Sequence, residues 1–281
     1  MNKININRKN ILGYGPALAP DHPGFHDIQY KNRRTKIARL ANKYVADQSI
    51  KNVNYIKEEH QVWNTVITNL EDLYPKYACK EFNRGFDYLS FNKTEIPQLN
   101  DVSNLLYKHN GWRLVPVAGL LHPRDFLAGL ANKQFHSTQY IRHHSQPMYT
   151  PEPDICHELI GHIPMLLNDN YANFIEQFGK ISLNKNDKDL WNITKMYWYL
   201  IEFGVINEIN IDNITEVKAF GAGILSSFGE MHHMINKNAK IIQLDESNLK
   251  FPKINYNGGF QDFYYVLNSF DDCELFKKLI M

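Results

Sequence analysis

Two histidines five residues apart, His157 and His162, lie in the short apolar stretch Pro151-Glu-Pro-Asp-Ile-Cys-His-Glu-Leu-Ile-Gly-His162, and Pro164 follows at once. In an ideal α-helix five steps of ~100° leave the two rings ~140° apart. A chain that brings both rings to one site must therefore widen or distort this turn. Pro164 predicts a stop to the element and an irregular end there. Gly161 removes a side chain beside His162 and admits a close neighbour.

Forty-five residues after His157, one carboxylate, Glu202, interrupts the apolar run Met196-Tyr-Trp-Tyr-Leu-Ile-Glu-Phe-Gly-Val-Ile206. A carboxylate on such a stripe is costly to bury unless it is paired or metal-bound. Two histidines and a distant carboxylate form a facial set of three ligands that leaves coordination positions open, the arrangement of non-haem iron(II) oxygenases. The spacing of five is not the four of the zinc proteases. A zinc hydrolase stays as an alternative, since carboxylate-ligated zinc sites exist. Glu158 lines the same pocket on this reading, and Cys156 is a small buried hydrophobe. Arg142 offers the planar fork that pairs with a carboxylate, whereas His136, His143 and His144 are read as structural or exposed. The run Gly221-Ala-Gly-Ile-Leu-Ser-Ser-Phe-Gly229 lacks the complete phosphate-loop pattern and reads as a tight wall of the site.

The rest of the chain reads as one mainly α domain (α+β, with minor short strands) over residues 21–281, after a loose N-terminal segment at 1–20. Helices are expected at Thr35–Asp47, Glu58–Tyr74, Asp101–Lys108 and Asp125–Lys133, then at 154–163, 168–180, 187–207, 221–236 and 260–278. Short strands are expected at Arg113–Ala118 and Ser137–Arg142, with a hairpin at 209–220. Aromatic residues make up 13 % of the 281 residues and should dominate the core. The net charge of +1 offers no general attraction to nucleic acid or an anionic membrane. There is no apolar run of membrane-spanning length and no secretory signal, and three scattered cysteines make no disulfide framework. The expectation is a soluble, reduced, cytoplasmic protein.

These residues together resemble the aromatic amino acid hydroxylases, in particular their bacterial single-domain branch. The resemblance runs along most of the chain. It includes Asp21-His-Pro-Gly-Phe25, Arg124-Asp-Phe-Leu-Ala-Gly-Leu130, the segment from Met148 to His162, Glu202-Phe-Gly204 and Phe220-Gly-Ala-Gly-Ile-Leu-Ser-Ser-Phe-Gly-Glu230. It implies a catalytic domain of that family's fold, with His157, His162 and Glu202 binding iron(II). It places Gly119, Leu121, Phe126, Glu158 and Tyr197 around a tetrahydropterin, with Phe126 stacking on its ring. It assigns Arg142, supported by Asp154, to the amino-acid carboxylate, and Thr150, Trp198, Gly223 and Ser226 to the rest of the substrate pocket. The implied reaction is hydroxylation of L-phenylalanine to L-tyrosine with O2 and the reduced pterin. Tryptophan or tyrosine as substrate is the alternative within the family, and Trp198, four residues before Glu202, favours a ring smaller than indole. The sequence lacks the regulatory and assembly segments of the animal members, so a monomer is expected.

Overall fold

The computed structural model describes residues 11–13, 18–148, 150–245, 251–254 and 259–270. Its frame is helical. Strand β1 (Ile11–Gly13) is followed by helices α1 (Ile28–Asn42), α2 (Lys57–Glu71), α3 (Tyr74–Tyr77), α4 (Lys80–Leu89) and α5 (Leu99–Asn110). Then come β2 (Arg113–Pro116), β3 (Leu120–Leu121), α6 (Pro123–Leu130) and β4 (Gln134–Ser137). The central helices are α7 (Ile163–Leu166), α8 (Asp169–Ser182) and α9 (Asp187–Met196). The last part holds β5 (Val205–Ile209), β6 (Thr215–Ala219), α10 (Ala222–Leu225), α11 (Phe228–Ile235), β7 (Lys240–Gln243) and β8 (Phe263–Leu267). No described helix is long and apolar enough to cross a membrane.

The elements form where local chemistry starts and stops them. The Asp27 side chain accepts from the Tyr30 amide and caps α1. Val62, Trp63, Val66, Ile67 and Leu70 recur at helical spacing and are the buried face of α2. Gly111, at φ 83°, ends α5. Strands β2 and β4 pair in parallel, and the chain between them crosses through α6. A second sheet runs in the order β6-β5-β8-β7, antiparallel only between β5 and β6. Between them lies a core whose largest buried side chains are mostly aromatic, among them Trp63, Trp112, Tyr74, Phe82 and Phe174.

Several expected boundaries are corrected. Within segment 1–20, Ile11–Gly13 is not loose: it pairs antiparallel with Leu120 and Leu121 and so borders the turn before α6. Helix α4 was not anticipated, although Phe82, Phe86 and Leu89 recur at helical spacing and pack on the core. The strand expected at Ser137–Arg142 lies earlier, in register with β2 from Gln134. The helix expected to reach 207 ends at Glu202. Gly204 then takes the turn, and β-branched Val205 and Ile206 enter a strand. The helix expected at 221–236 breaks between α10 and α11, where the Ser227 side chain caps α11 by accepting from Glu230 N. The final helix is overturned over its first part: Phe-Tyr-Tyr-Val-Leu at 263–267 is strand β8, paired on both sides. Its remainder, with Cys273, lies outside the described residues, as does Asn257.

Pro164 does not stop its helix either. It sits in the first turn of α7, where a missing N–H costs nothing, and the chain stays helical to Leu166. Helix α4 packs directly on this point, because a Cβ on Gly85 would fall 2.0 Å from the Pro164 carbonyl oxygen. Gly85→Ala therefore sets a gain in helix propensity of about 1 kcal/mol against a backbone clash. Overpacking of this kind costs about 1–3 kcal/mol, and here it should win. Urea unfolding should show a lower midpoint at unchanged slope; an unchanged or raised midpoint would mean α4 slides at no cost.

Candidate active site

Both expected metal-binding segments are π-helical. His157–His162 is a six-residue π-turn leading into α7, and Tyr197–Glu202 is a six-residue π-turn that continues α9 and ends the helix. In a π-turn the bonds run from i to i+5, so residues five apart return to one face. That resolves the angular problem of the two histidines. Their rings lie 4.9 Å apart at 84°, with Nε2 to Nε2 at 3.1 Å. The second π-turn brings up Glu202, whose oxygens stand 3.4 Å from His157 Nε2 and 3.3 Å from His162 Nε2.

These separations suit a shared cation. Two donors ~2.1 Å from one metal at right angles stand about 3.0 Å apart. The titration behaviour agrees with a closed cluster. Burial alone would raise the Glu202 carboxyl, but the imidazoles of His162 and His157 hold it far below the usual carboxylate range. For His157, burial is outweighed by Glu202 and the pKa rises; for His162, burial prevails and the pKa falls. An anionic carboxylate beside two imidazoles, in a cleft of low polarity, is a donor set for a divalent transition metal.

Ser226 fixes one ligand's tautomer. Its hydroxyl donates to Ala222 O at 2.6 Å, so toward His157 Nδ1, 2.9 Å away, it can only accept. The proton therefore sits on Nδ1, and Nε2 presents its lone pair to the cluster. The close neighbour anticipated at Gly161 is Ala222: a Cβ there would lie 2.8 Å from Ala222 O. The missing side chain is what allows α10 to bring Ser226 within reach. Ser226, expected in the substrate pocket, is thus placed behind a histidine.

A second polar group lies one turn earlier. Arg142 donates to Asp154 from Nε at 2.9 Å, from Nη2 at 2.8 Å and from its backbone N–H at 2.8 Å. Asp154 also accepts from His157 N at 3.0 Å. Burial would raise the Asp154 carboxyl, but the guanidinium and these donors bring it below its ordinary value. Nη1 reaches Pro147 O at 3.3 Å. A guanidinium carries five N–H donors, so donor capacity remains on both terminal nitrogens. Thr150, nearby in sequence, donates to Glu152 O at 2.7 Å. Glu152 in turn pairs with buried Arg34 of α1. That pair spans 118 residues and carried no local signal in the sequence.

An aromatic wall completes the site. Phe126 of α6 meets Tyr197 edge-on at 5.2 Å, and Phe135 lies 4.7 Å from the His162 ring. Gly119 and Leu121 are buried in the turn and strand just before α6. Glu158 is buried, with a carboxylate oxygen within 4.8 Å of the His157 and His162 ring nitrogens; burial pushes it up to about 8, and it accepts a long bond from Thr138 N at 3.4 Å. The Tyr197 hydroxyl is buried and has no hydrogen-bond partner among the described residues. A flat aromatic face, an unpaired phenol and a lightly bonded carboxyl fit a planar heterocycle rich in polar edges. Trp198, four residues before Glu202, packs against Phe203 with ring centroids 4.9 Å apart, and Phe203 N donates to Trp198 O at 3.2 Å. Gly223 lies against that Phe203 ring. Phe135 and Phe203 were missed; both are ordinary core aromatics by pattern, distinguished only by what they touch.

Comparison with known proteins identifies the family. Residues 1–279 match the family described as biopterin-dependent aromatic amino acid hydroxylase. A chloroplastic phenylalanine 4-monooxygenase of Pinus taeda is 52 % identical over 266 residues, covering 95 % of this chain and 73 % of its own. The phenylalanine hydroxylase structure from Legionella pneumophila superposes with TM-score 0.72 at 33 % identity, over 82 % of this chain and 88 % of that one. A Chromobacterium violaceum phenylalanine hydroxylase, with bound iron(III) and oxidised 7,8-dihydrobiopterin, gives TM-score 0.72 at 28 % identity, over 86 % and 90 % of the two chains.

The Ser226 contact generates a test. Ser226→Ala removes the acceptor for His157 Nδ1–H but no direct ligand. Loss of such a supporting group typically weakens metal affinity ~10–100-fold. Iron(II) titration of the variant should show that loss with an unchanged melting transition; wild-type affinity would make the hydroxyl mere packing.

Proposed function

Because the chain belongs to the biopterin-dependent aromatic amino acid hydroxylase family, we infer that it is a phenylalanine 4-monooxygenase, hydroxylating L-phenylalanine to L-tyrosine with O2 and a tetrahydropterin at a non-haem iron(II) site. The observation that carries the site assignment is the closure of His157, His162 and Glu202 to 3.1–3.4 Å of one another. Iron(II) and the reduced pterin, when bound, supply the activation of O2 and the two electrons it needs.

Every other part belongs to the chain. His157, His162 and Glu202 hold the metal from one side and leave its other side to reactants. Ser226 keeps the His157 proton on Nδ1, away from the metal. Phe126 and Tyr197 present aromatic surface to the pterin, next to Gly119 and Leu121, and Glu158 offers a polar contact. Arg142, braced by Asp154, takes the substrate carboxylate with its remaining donors, while Thr150 sits on the same segment. Trp198, backed by Phe203 and Gly223, walls the space for the substrate ring. Fixing carboxylate and ring at two separated points orients the ring toward the metal, and the buried aromatic lining excludes water. We propose further that the protein acts in the cytoplasm as a monomer, the reducing compartment being supported by the free thiols of Cys79 and Cys156; light scattering at micromolar concentration tests the second part.

With added iron(II) and tetrahydropterin the protein should form tyrosine from phenylalanine, one tyrosine per pterin oxidised. His157→Ala, His162→Ala and Glu202→Ala should each abolish this together with iron binding. Arg142→Lys keeps the charge but loses the planar fork. A hydrogen bond to a charged group is worth about 1.5–3 kcal/mol, so KM for phenylalanine should rise roughly ten- to hundredfold while KM for the pterin stays. A shift confined to the pterin constant would move Arg142 to the cofactor's side of the site.

A further inference from the structure

We propose that Asp27, His143 and His144 form a second divalent transition-metal site, distinct from the His157–His162–Glu202 cluster, which clips the start of α1 to the segment after Arg142. One ligand atom from each of the three residues lies within 4.8 Å of the others. Two imidazoles and a carboxylate are borderline donors that suit zinc, cobalt, nickel or copper.

The local hydrogen bonds leave the right atoms facing one another. Asp27 uses Oδ1 to cap α1, accepting from Tyr30 N at 2.9 Å, and its Oδ2 meets His143 Nε2 at 3.2 Å. On the other side of that ring, Ser145 N lies 3.3 Å from Nδ1, and a backbone N–H can only donate. Nδ1 is therefore an acceptor, and the proton that joins His143 to Asp27 is on Nε2. A metal ion takes the place of that single proton and keeps both partners. His143 is itself locked, edge-on to Tyr30 at 4.9 Å.

His144 supplies the third donor. Its ring lies 4.2 Å from that of His143, it is exposed, and its side chain makes no hydrogen bond among the described residues. Donors around a metal with bonds of ~2.0–2.2 Å stand about 3–3.6 Å apart, so closure needs a movement of roughly 1 Å, within the reach of an exposed rotamer. Water completes the fourth position, as in other three-ligand zinc sites. The elements joined are distant in sequence: Asp27 and His143 are 116 residues apart. Metal binding here adds its free energy to the stability of the junction beside Arg142.

The test is a count of tightly bound zinc on the untagged full chain after gel filtration, with four proteins. Wild type should retain two equivalents. His144→Ala and Asp27→Asn should each retain one; asparagine preserves the helix cap, so α1 stays formed. His157→Ala should lose the equivalent in the hydroxylase cluster and keep the new one. Without added zinc, His144→Ala should form tyrosine at the wild-type rate, which separates this site from the catalytic one. One equivalent in wild type that is lost in His157→Ala, or a second equivalent that survives both His144→Ala and Asp27→Asn, would overturn the proposal; one equivalent that His157→Ala keeps and His144→Ala loses would support it. The zinc count does not depend on turnover, so a failure of the hydroxylase reading would leave it readable.

Discussion

The burial of a carboxylate in an aromatic interior is the constraint on which the rest depends. Glu202 ends a helical run flanked by Tyr197, Trp198 and Phe203, where an isolated negative charge could not be kept. It remains ionised because two imidazoles close on it at 3.3 and 3.4 Å. The same rule repeats outward. Asp154 is held by Arg142, and Glu152 by Arg34, each pair almost wholly buried. Removing one member of such a pair strands the other in a low dielectric, a far larger loss than the pair contributes intact. The interior around the site is thus a set of mutually obliged charges, drawn from helices and from the irregular segments around Arg142 and Asp154.

That closure needs helices wound off their usual pitch. An α-helix would send His157 and His162 to different faces. The two π-turns, at 157–162 and 197–202, give up regular hydrogen bonding over six residues each. In return they gather donors that sequence spacing alone would scatter. Gly161 is part of the same solution: without a Cβ there, α10 packs against the π-turn and delivers Ser226 to the back of His157. Gly85 plays the matching role on the far side, letting α4 sit on the Pro164 backbone and press on the end of the first π-turn. Close packing on both flanks holds the first ligand-bearing π-turn in place.

The readable parts of the fold were those with period and punctuation. Helix α2, with its stripe from Val62 to Leu70, and α5, closed by Gly111, follow from local pattern. Helix α4 carries the same kind of signal in Phe82, Phe86 and Leu89, whereas the short aromatic run of β8 fits helix or strand until its neighbours are known. Pro164 illustrates a different failure. A proline ends a helix only if its amide is needed, and a π-to-α junction does not need it.

For the site, the sequence by itself determined the donor inventory: two histidines five apart, one carboxylate in an apolar run, an arginine and an aspartate twelve apart. Those identities are chemical and local, and they limited the chemistry before any fold was known. Only the tertiary structure decided how they are used. It set Ser226 behind His157 as the support of that ring, and it packed Trp198 against Phe203. It also set His143 and His144 against Asp27. The reason is physical: a side chain's partners depend on helix pitch and on contacts between segments more than a hundred residues apart, and neither is encoded in the spacing of one segment.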